Sequence, residues 1–309
     1  HESDTQFKIL ELLTAFVALV GLPGNTVVLW LLGFRMSRNA CSVYILNLAG
    51  ADFLFLCYRF IHSLTLVFNF DFVFRVINKF LWPLSIFAYI SGLSFLSAIS
   101  TERCLSVLWP IWHRCHRPRH MSTVMCALLW ALSLLLSMLE VFHGHMKAVR
   151  DPGPFCFTDI VFKHELLLIT SYFSHYLTVP WIFFVMFISI CYSHVRRSMV
   201  PLTRLYATVV LTVLVFFLCG LPYSTIWCLL FWFQKDLDAF VPHFLAAVLL
   251  SCANSCANPI IYFFVGSFRQ RWWKRRHNLR LVLQRALQDT PEVDEPGESL
   301  PGGTLAIFV

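Results

Sequence analysis

The chain has 309 residues, 58% of them hydrophobic and 13% charged, with a net charge of +7. That is far more apolar surface than a soluble domain can bury, which excludes a soluble globular protein and implies a membrane one. The positive charge gathers on one face, as shown below, where it meets anionic lipid, so no nucleic-acid partner is expected.

Apolar runs of about the 20 residues that cross the hydrocarbon core recur seven times, at roughly 9–33, 42–67, 78–108, 120–142, 165–194, 202–233 and 239–265. Short polar connections separate them, and no soluble domain is left over. The expected fold class is an all-α membrane protein, a seven-transmembrane helix bundle with a short amphipathic cytosolic helix after the seventh span. Residues 1–266 make the transmembrane domain, 267–288 the basic juxtamembrane helix and 289–309 an acidic tail, rich in Pro and Gly, that reads as disordered.

Lys and Arg set the orientation. Arg35 and Arg38 follow the first span, Arg114, Arg117 and Arg119 the third, and Arg196, Arg197 and Arg204 the fifth. Arg269, Arg271, Lys274, Arg275 and Arg276 follow the seventh, on the same side. The opposite loops mix signs. The N-terminus is therefore expected outside the cell and the C-terminus in the cytosol, at the plasma membrane. The chain opens on His1 rather than Met and shows no secretory leader, from which a shortened N-terminus is expected. Of 11 cysteines only Cys156 falls clearly in an outer loop, so no disulfide framework is expected.

The first span contains Gly24-Asn25. An Asn in a span must hydrogen-bond within the bundle, and a small residue beside it lets a neighbouring helix come close. The second span carries Asp52, a carboxylate near mid-membrane that costs about 2.5–3.5 kcal/mol to insert and so needs polar partners or a cation. A sodium ion is the cation expected near it. Seven residues further out, Arg59 lies on the same face, either paired with an acid of another span or lining a water-filled cavity.

The third span ends in Glu102-Arg103-Cys104. A full charge pair there reads either as interfacial residues snorkelling to water or as a functional pair at the cytosolic mouth of the bundle. His113, Cys115, His116 and His120 in the loop beyond invite a metal, yet their spacing matches no zinc site and the interleaved arginines oppose a dication. The fourth span has Trp130 and ends near Glu140 at the outer boundary, followed by an outer loop with His143-Gly144-His145, Cys156 and Asp159. His164-Glu165 lacks the second His of a metalloprotease helix, and no paired nucleophile and base appears elsewhere, so no enzyme is expected.

In the sixth span Gly220 stands two residues before Pro222, a weak point about which the inner half can swing. Tyr223, Trp227, Phe231 and Trp232 form an aromatic stripe outward of it, suited to lipid, core or ligand. The seventh span supplies a polar seam, Asn254, Ser255, Asn258 and Pro259, as the natural partner of Asp52. Beyond it Ser267 suits an N-cap, and Phe268, Trp272 and the surrounding basic residues suit a helix lying on the inner membrane surface.

Gly24-Asn25, Leu48 to Asp52, Glu102-Arg103-Cys104, Trp130, Pro222 and Asn258-Pro259-Ile260-Ile261-Tyr262, at these separations, resemble a rhodopsin-like G-protein-coupled receptor. Tyr44 to Ala49, Ser100 to Trp112, Pro201 to Tyr206, Phe217 to Pro222 and Asn258 to Gln270 are similar to the Mas-related receptors, above all the primate X and rodent A groups. The resemblance implies a heterotrimeric G protein as partner, with arrestin and membrane lipid. It makes Arg103 the arginine that meets the G protein once the sixth span swings out, and Asp52, Asn254 and Asn258 the central polar network. Tyr262 would rotate inward on activation. Glu140 falls on the acid that pairs with cationic ligands in the X group, Asp159 lies near a second such acid, and Trp227 and Trp232 fall on aromatics of the same outer pocket.

The departures also carry expectations. Asn78 stands where most rhodopsin-like receptors have a disulfide cysteine, and Gly144 where many Mas-related receptors begin a bridge, leaving Cys156 alone. Gly220 replaces the usual toggle Trp. No acid stands near Leu202 to Tyr206, so Arg103 lacks its locking partner there and a weak resting restraint is expected. The implied function is a receptor that senses extracellular basic peptides or cationic amphiphiles and activates G proteins through movement of the sixth span. An orphan or decoy receptor of the same fold is the alternative. A transporter using Asp52, Arg59 and His175 would call for internal repeats that the chain does not show.

Overall fold

The computed structural model describes residues 2–35, 40–68, 71–118, 120–148, 211–212, 214–226 and 237–267. Its elements are helices: α1 (Glu2–Trp30), prolonged in π geometry over Leu31–Arg35, α2 (Ala40–Val67), α3 (Asp71–Leu108), the short α4 (Pro110–Cys115), α5 (Met121–Ala148), α6 (Phe216–Ile226) and α7 (Leu237–Ser267). Within them Thr5–Arg35, Cys41–Val67, Leu81–Glu102, Met121–Leu139 and Val241–Ile261 are long and apolar enough to cross a membrane. These are the expected first, second, third, fourth and seventh spans. The expected fifth span, the tail after Ser267 and parts of the sixth span fall outside the described residues, and Ser267 itself closes α7.

The helices overrun the apolar runs. α3 begins at Asp71 and takes in Arg75, ahead of the third span expected from 78. α5 continues to Ala148 through His143, Gly144 and His145, residues expected in a loop. Helix ends follow backbone hydrogen bonding and stop signals, whereas hydropathy marks only where the lipid begins. The loop after the third span holds a helical turn as well, α4, with Pro110 at its first position, where a missing N–H costs nothing.

α1 packs on α2 and α7, α2 on α3 and α5, α3 on α5, and α7 on the π turn of α6. One apolar cluster joins Val28, Leu32, Leu48, Phe95, Ile99 and Phe216. A second joins Ala18, Phe55, Leu56, Ala88 and Cys252. The outward faces are just as apolar: Phe16, Leu19, Leu128 and Leu135 are exposed. A helix apolar all round suits a membrane, where burial does not separate greasy from polar faces. The interior is instead the place for polar groups, Asn25, Asp52, Arg59, Glu102, Asn254 and Asn258 among them.

Many polar side chains survive inside by finding a partner on the backbone or on a neighbouring helix. Ser91, Ser94, Ser100 and Thr101 of α3 donate to the carbonyls of Phe87, Ile90, Leu96 and Ser97, one turn back. Asn25 donates through Nδ2 to Gly21 O on its own helix and to Ser255 O on α7, both at 3.1 Å. Gly24 makes that approach possible, since a Cβ there would stand 3.2 Å from Pro259 Cβ. Trp130 of α5 donates its indole N–H to Asn47 Oδ1 at 2.8 Å, tying α5 to α2.

Candidate functional site

Three levels of buried charge follow one another along the bundle. The middle one lies on α2 at Asp52, about 18 Å along that helix from its start at 1.5 Å per residue. Asp52 is 5% exposed and its Oδ2 accepts from Asn258 Nδ2 at 2.7 Å, with Ser255 of α7 as a second hydrogen-bond donor. Gly92 of α3 faces it without a side chain, leaving room beside Oδ1. The amide oxygens of Asn254 and Asn258 are buried and accept no hydrogen bond from the described residues. Asp52 is thus joined to the polar seam expected of α7 through Asn258 and Ser255. Asn254 also lies against Gly220, where a Cβ would stand 3.4 Å from its Nδ2.

The inner level is Glu102, 3% exposed at the end of α3. Its Oε1 meets His113 Nε2 and Arg117 Nε, each at 2.8 Å. Arg117 also donates through its terminal nitrogen to Ser122 Oγ at the start of α5. The acid is therefore taken up by α4 and the loop beyond it, and it ties α3, α4 and α5 together. Glu102 is not a snorkelling charge reaching for water, and the imidazole of His113 is occupied with a carboxylate. Arg103 follows on α3 and Tyr262 on α7, with their side chains outside the described residues.

The outer level was only half legible. Arg59, 7% exposed, donates to Tyr223 Oη of α6 at 2.9 Å. Its guanidinium also lies 5.3–5.5 Å from the ring centres of Phe55, Tyr58 and Tyr223. Glu11 of α1, 3% exposed, is near enough for its charge to act on Arg59 and accepts from Ser63 at 2.6 Å. Of the two readings of Arg59, the structure adds an acid nearby but gives the hydrogen bond to a phenol. Glu11 was passed over; its signal was a single acid inside the first apolar run. Tyr89 of α3 completes the level, hydrogen-bonded to Ser224 Oγ and, at 3.4 Å, to Gly220 O.

Gly220 and Pro222 sit where α6 changes geometry. Phe216–Gly220 forms a π turn in which Leu221 N–H donates to Phe216 O, five residues back. Pro222 has no N–H to give and its ring crowds the carbonyl four residues before it, so a widened turn relieves the helix. Phe216 fills the space beside Gly220, where a Cβ would stand 2.5 Å from its ring. Of the residues expected at an outer ligand site, Glu140 lies on α5 with its side chain outside the described residues, and Asp159, Trp227 and Trp232 lie outside them altogether.

Residues 24–262 match the family described as 7 transmembrane receptor (rhodopsin family). The human Mas-related G-protein coupled receptor member X1 is 52% identical over 308 residues, covering 96% of this chain and 89% of the relative. Member X2 of Rhinopithecus bieti is 51% identical over 308 residues, covering 96% and 88%. Member X3 of Macaca mulatta is 51% identical over 310 residues, covering 97% and 89%. The chain belongs to the rhodopsin-family seven-transmembrane receptors and, within them, to the Mas-related G-protein coupled receptors.

Proposed function

We propose that this receptor senses extracellular basic peptides or cationic amphiphiles and activates a heterotrimeric G protein through movement of the sixth span. The cation would meet Glu140 and Asp159, walled by Trp227 and Trp232, with the N-terminus outside the plasma membrane. The observation that carries the mechanism is the π turn before Pro222, set between two levels of buried polar contacts. A helix loosened at one point and held on either side of it can swing as two rigid halves. Arg103, beside a Glu102 already engaged by His113 and Arg117, is the cytosolic contact, and Tyr262 turns in beneath Asn258 and Pro259.

Asp52 offers a place for a sodium ion. Its carboxylate together with the unused Asn254 and Asn258 oxygens is a hard, oxygen-only donor set, which suits a small hard cation.

The ligand reading rests on Glu140, because attraction between opposite charges strengthens away from bulk water. Glu140→Gln removes the charge and keeps the shape. Dose–response curves for a cationic amphipathic peptide, at matched surface expression, are expected to shift by about 100-fold or more, as loss of a desolvated charge pair entails. Unchanged potency would remove Glu140 from the site.

A further inference from the structure

We infer that Arg59 and Tyr223 form a clasp that restrains the sixth helix in the resting receptor, joining α2 to α6 one residue outward of Pro222. The inference deepens the proposed function, since it rests on α6 being the moving part.

Arg59 lies in the interior of a membrane bundle, 7% exposed, where a cation needs every partner it can find. Two of its three aromatic neighbours, Phe55 and Tyr58, belong to α2 itself and stay beside it whatever α6 does. Tyr223 supplies the third ring and a hydrogen bond at 2.9 Å. Any displacement of Tyr223 therefore strips the guanidinium of its hydrogen-bond acceptor on α6 and a π face together, and Arg59 Nε already has no hydrogen-bond partner among the described residues. Glu11 lies near, but its carboxylate is engaged by Ser63.

The contact falls where it has leverage. Gly220 carries no side chain to wedge the pivot, and the turn from Phe216 to Gly220 is already unwound to π geometry. Tyr89 grips the same point from α3, through Ser224 and Gly220 O, and its ring packs edge-on against Tyr223 at 4.8 Å. Tyr223 thus stands between a cation on α2 and a phenol on α3. With the clasp released, the inner half of α6 is held there by packing and by Tyr89, so the swung form becomes easier to reach. A ligand that pulls on the outer end of α6 would reach the pivot through this same phenol.

Tyr223→Phe deletes one oxygen and keeps the ring, and Arg59→Met removes a buried charge while keeping the length of the side chain, so both variants are expected at the cell surface. Ligand-independent G-protein dissociation in cells, normalised to surface receptor, is expected to rise about tenfold or more in each, as loss of one hydrogen bond to a charged group implies. The double variant is expected to rise no further, because both changes open one contact. Adding Arg103→Ala to Tyr223→Phe should abolish the raised signal. Wild-type basal signal in Tyr223→Phe, or additive effects in the double variant, would overturn the clasp. If Arg103→Ala silences the agonist response while Tyr223→Phe behaves as wild type, the clasp alone falls. If Arg103→Ala leaves agonist signalling intact, the G-protein reading falls and the clasp with it.

Discussion

Asp52 and Glu102 are both carboxylates almost wholly removed from solvent, and they are met in opposite ways. Glu102 faces an imidazole and a guanidinium at 2.8 Å, contributed by α4 and the loop after it. Asp52 faces an amide and a hydroxyl of α7, which are neutral. The first arrangement cancels charge and fixes a loop. The second pairs the carboxyl with neutral donors of α7, so opposite charge does not lock the contact between the two helices. Chemically alike residues are thus prepared for different work by their partners alone, and no property of Asp or Glu as residue types distinguishes them.

The sharpest break of that contrast is Glu102→Ala. It strands Arg117, 9% exposed, with its hydrogen bond to Ser122 alone. Removing one partner of a buried pair costs about 3 kcal/mol or more. Surface expression and the melting temperature in detergent should both fall, and Arg117→Met in the same chain should restore part of the loss. A Glu102→Ala receptor as stable as wild type would mean that the ion pairs contribute nothing. At Asp52 a smaller effect is expected. Replacing sodium by choline should lower the melting temperature of the wild type by about 2–4 °C, the scale of a weakly saturated site. Asp52→Asn should be insensitive to the exchange, and an equal response in both would exclude a cation at this carboxylate.

Much of this arrangement was legible in the chain. Spacing of apolar runs located the five spans found among the described residues, because a bilayer sets their length, and Asn254, Ser255 and Asn258 stood out as a polar seam in an apolar helix. Asp52 could be matched to it because a membrane interior offers few other donors. The partners of Glu102 were less legible. His113 and Arg117 lie 11 and 15 residues away in sequence, and only the helical turn of α4 folds them back onto the carboxylate. Arg59 was visible as a charge but not as a contact, since Tyr223 is one aromatic in a stripe that suits lipid equally well. Helix ends were misplaced at Asp71 and Ala148 because charged residues continue a helix as readily as they end a membrane span.

Signalling is decided at the inner end, where Glu102 is engaged by His113 and Arg117 and Arg103 is the proposed G-protein contact. The direct measurement is agonist-driven dissociation of a heterotrimeric G protein in cells, comparing wild type with Arg103→Ala at equal surface density, using a panel of basic amphipathic peptides and amines. Loss of the response in Arg103→Ala, with surface expression and peptide binding retained, is the result expected. A full response from Arg103→Ala would contradict it.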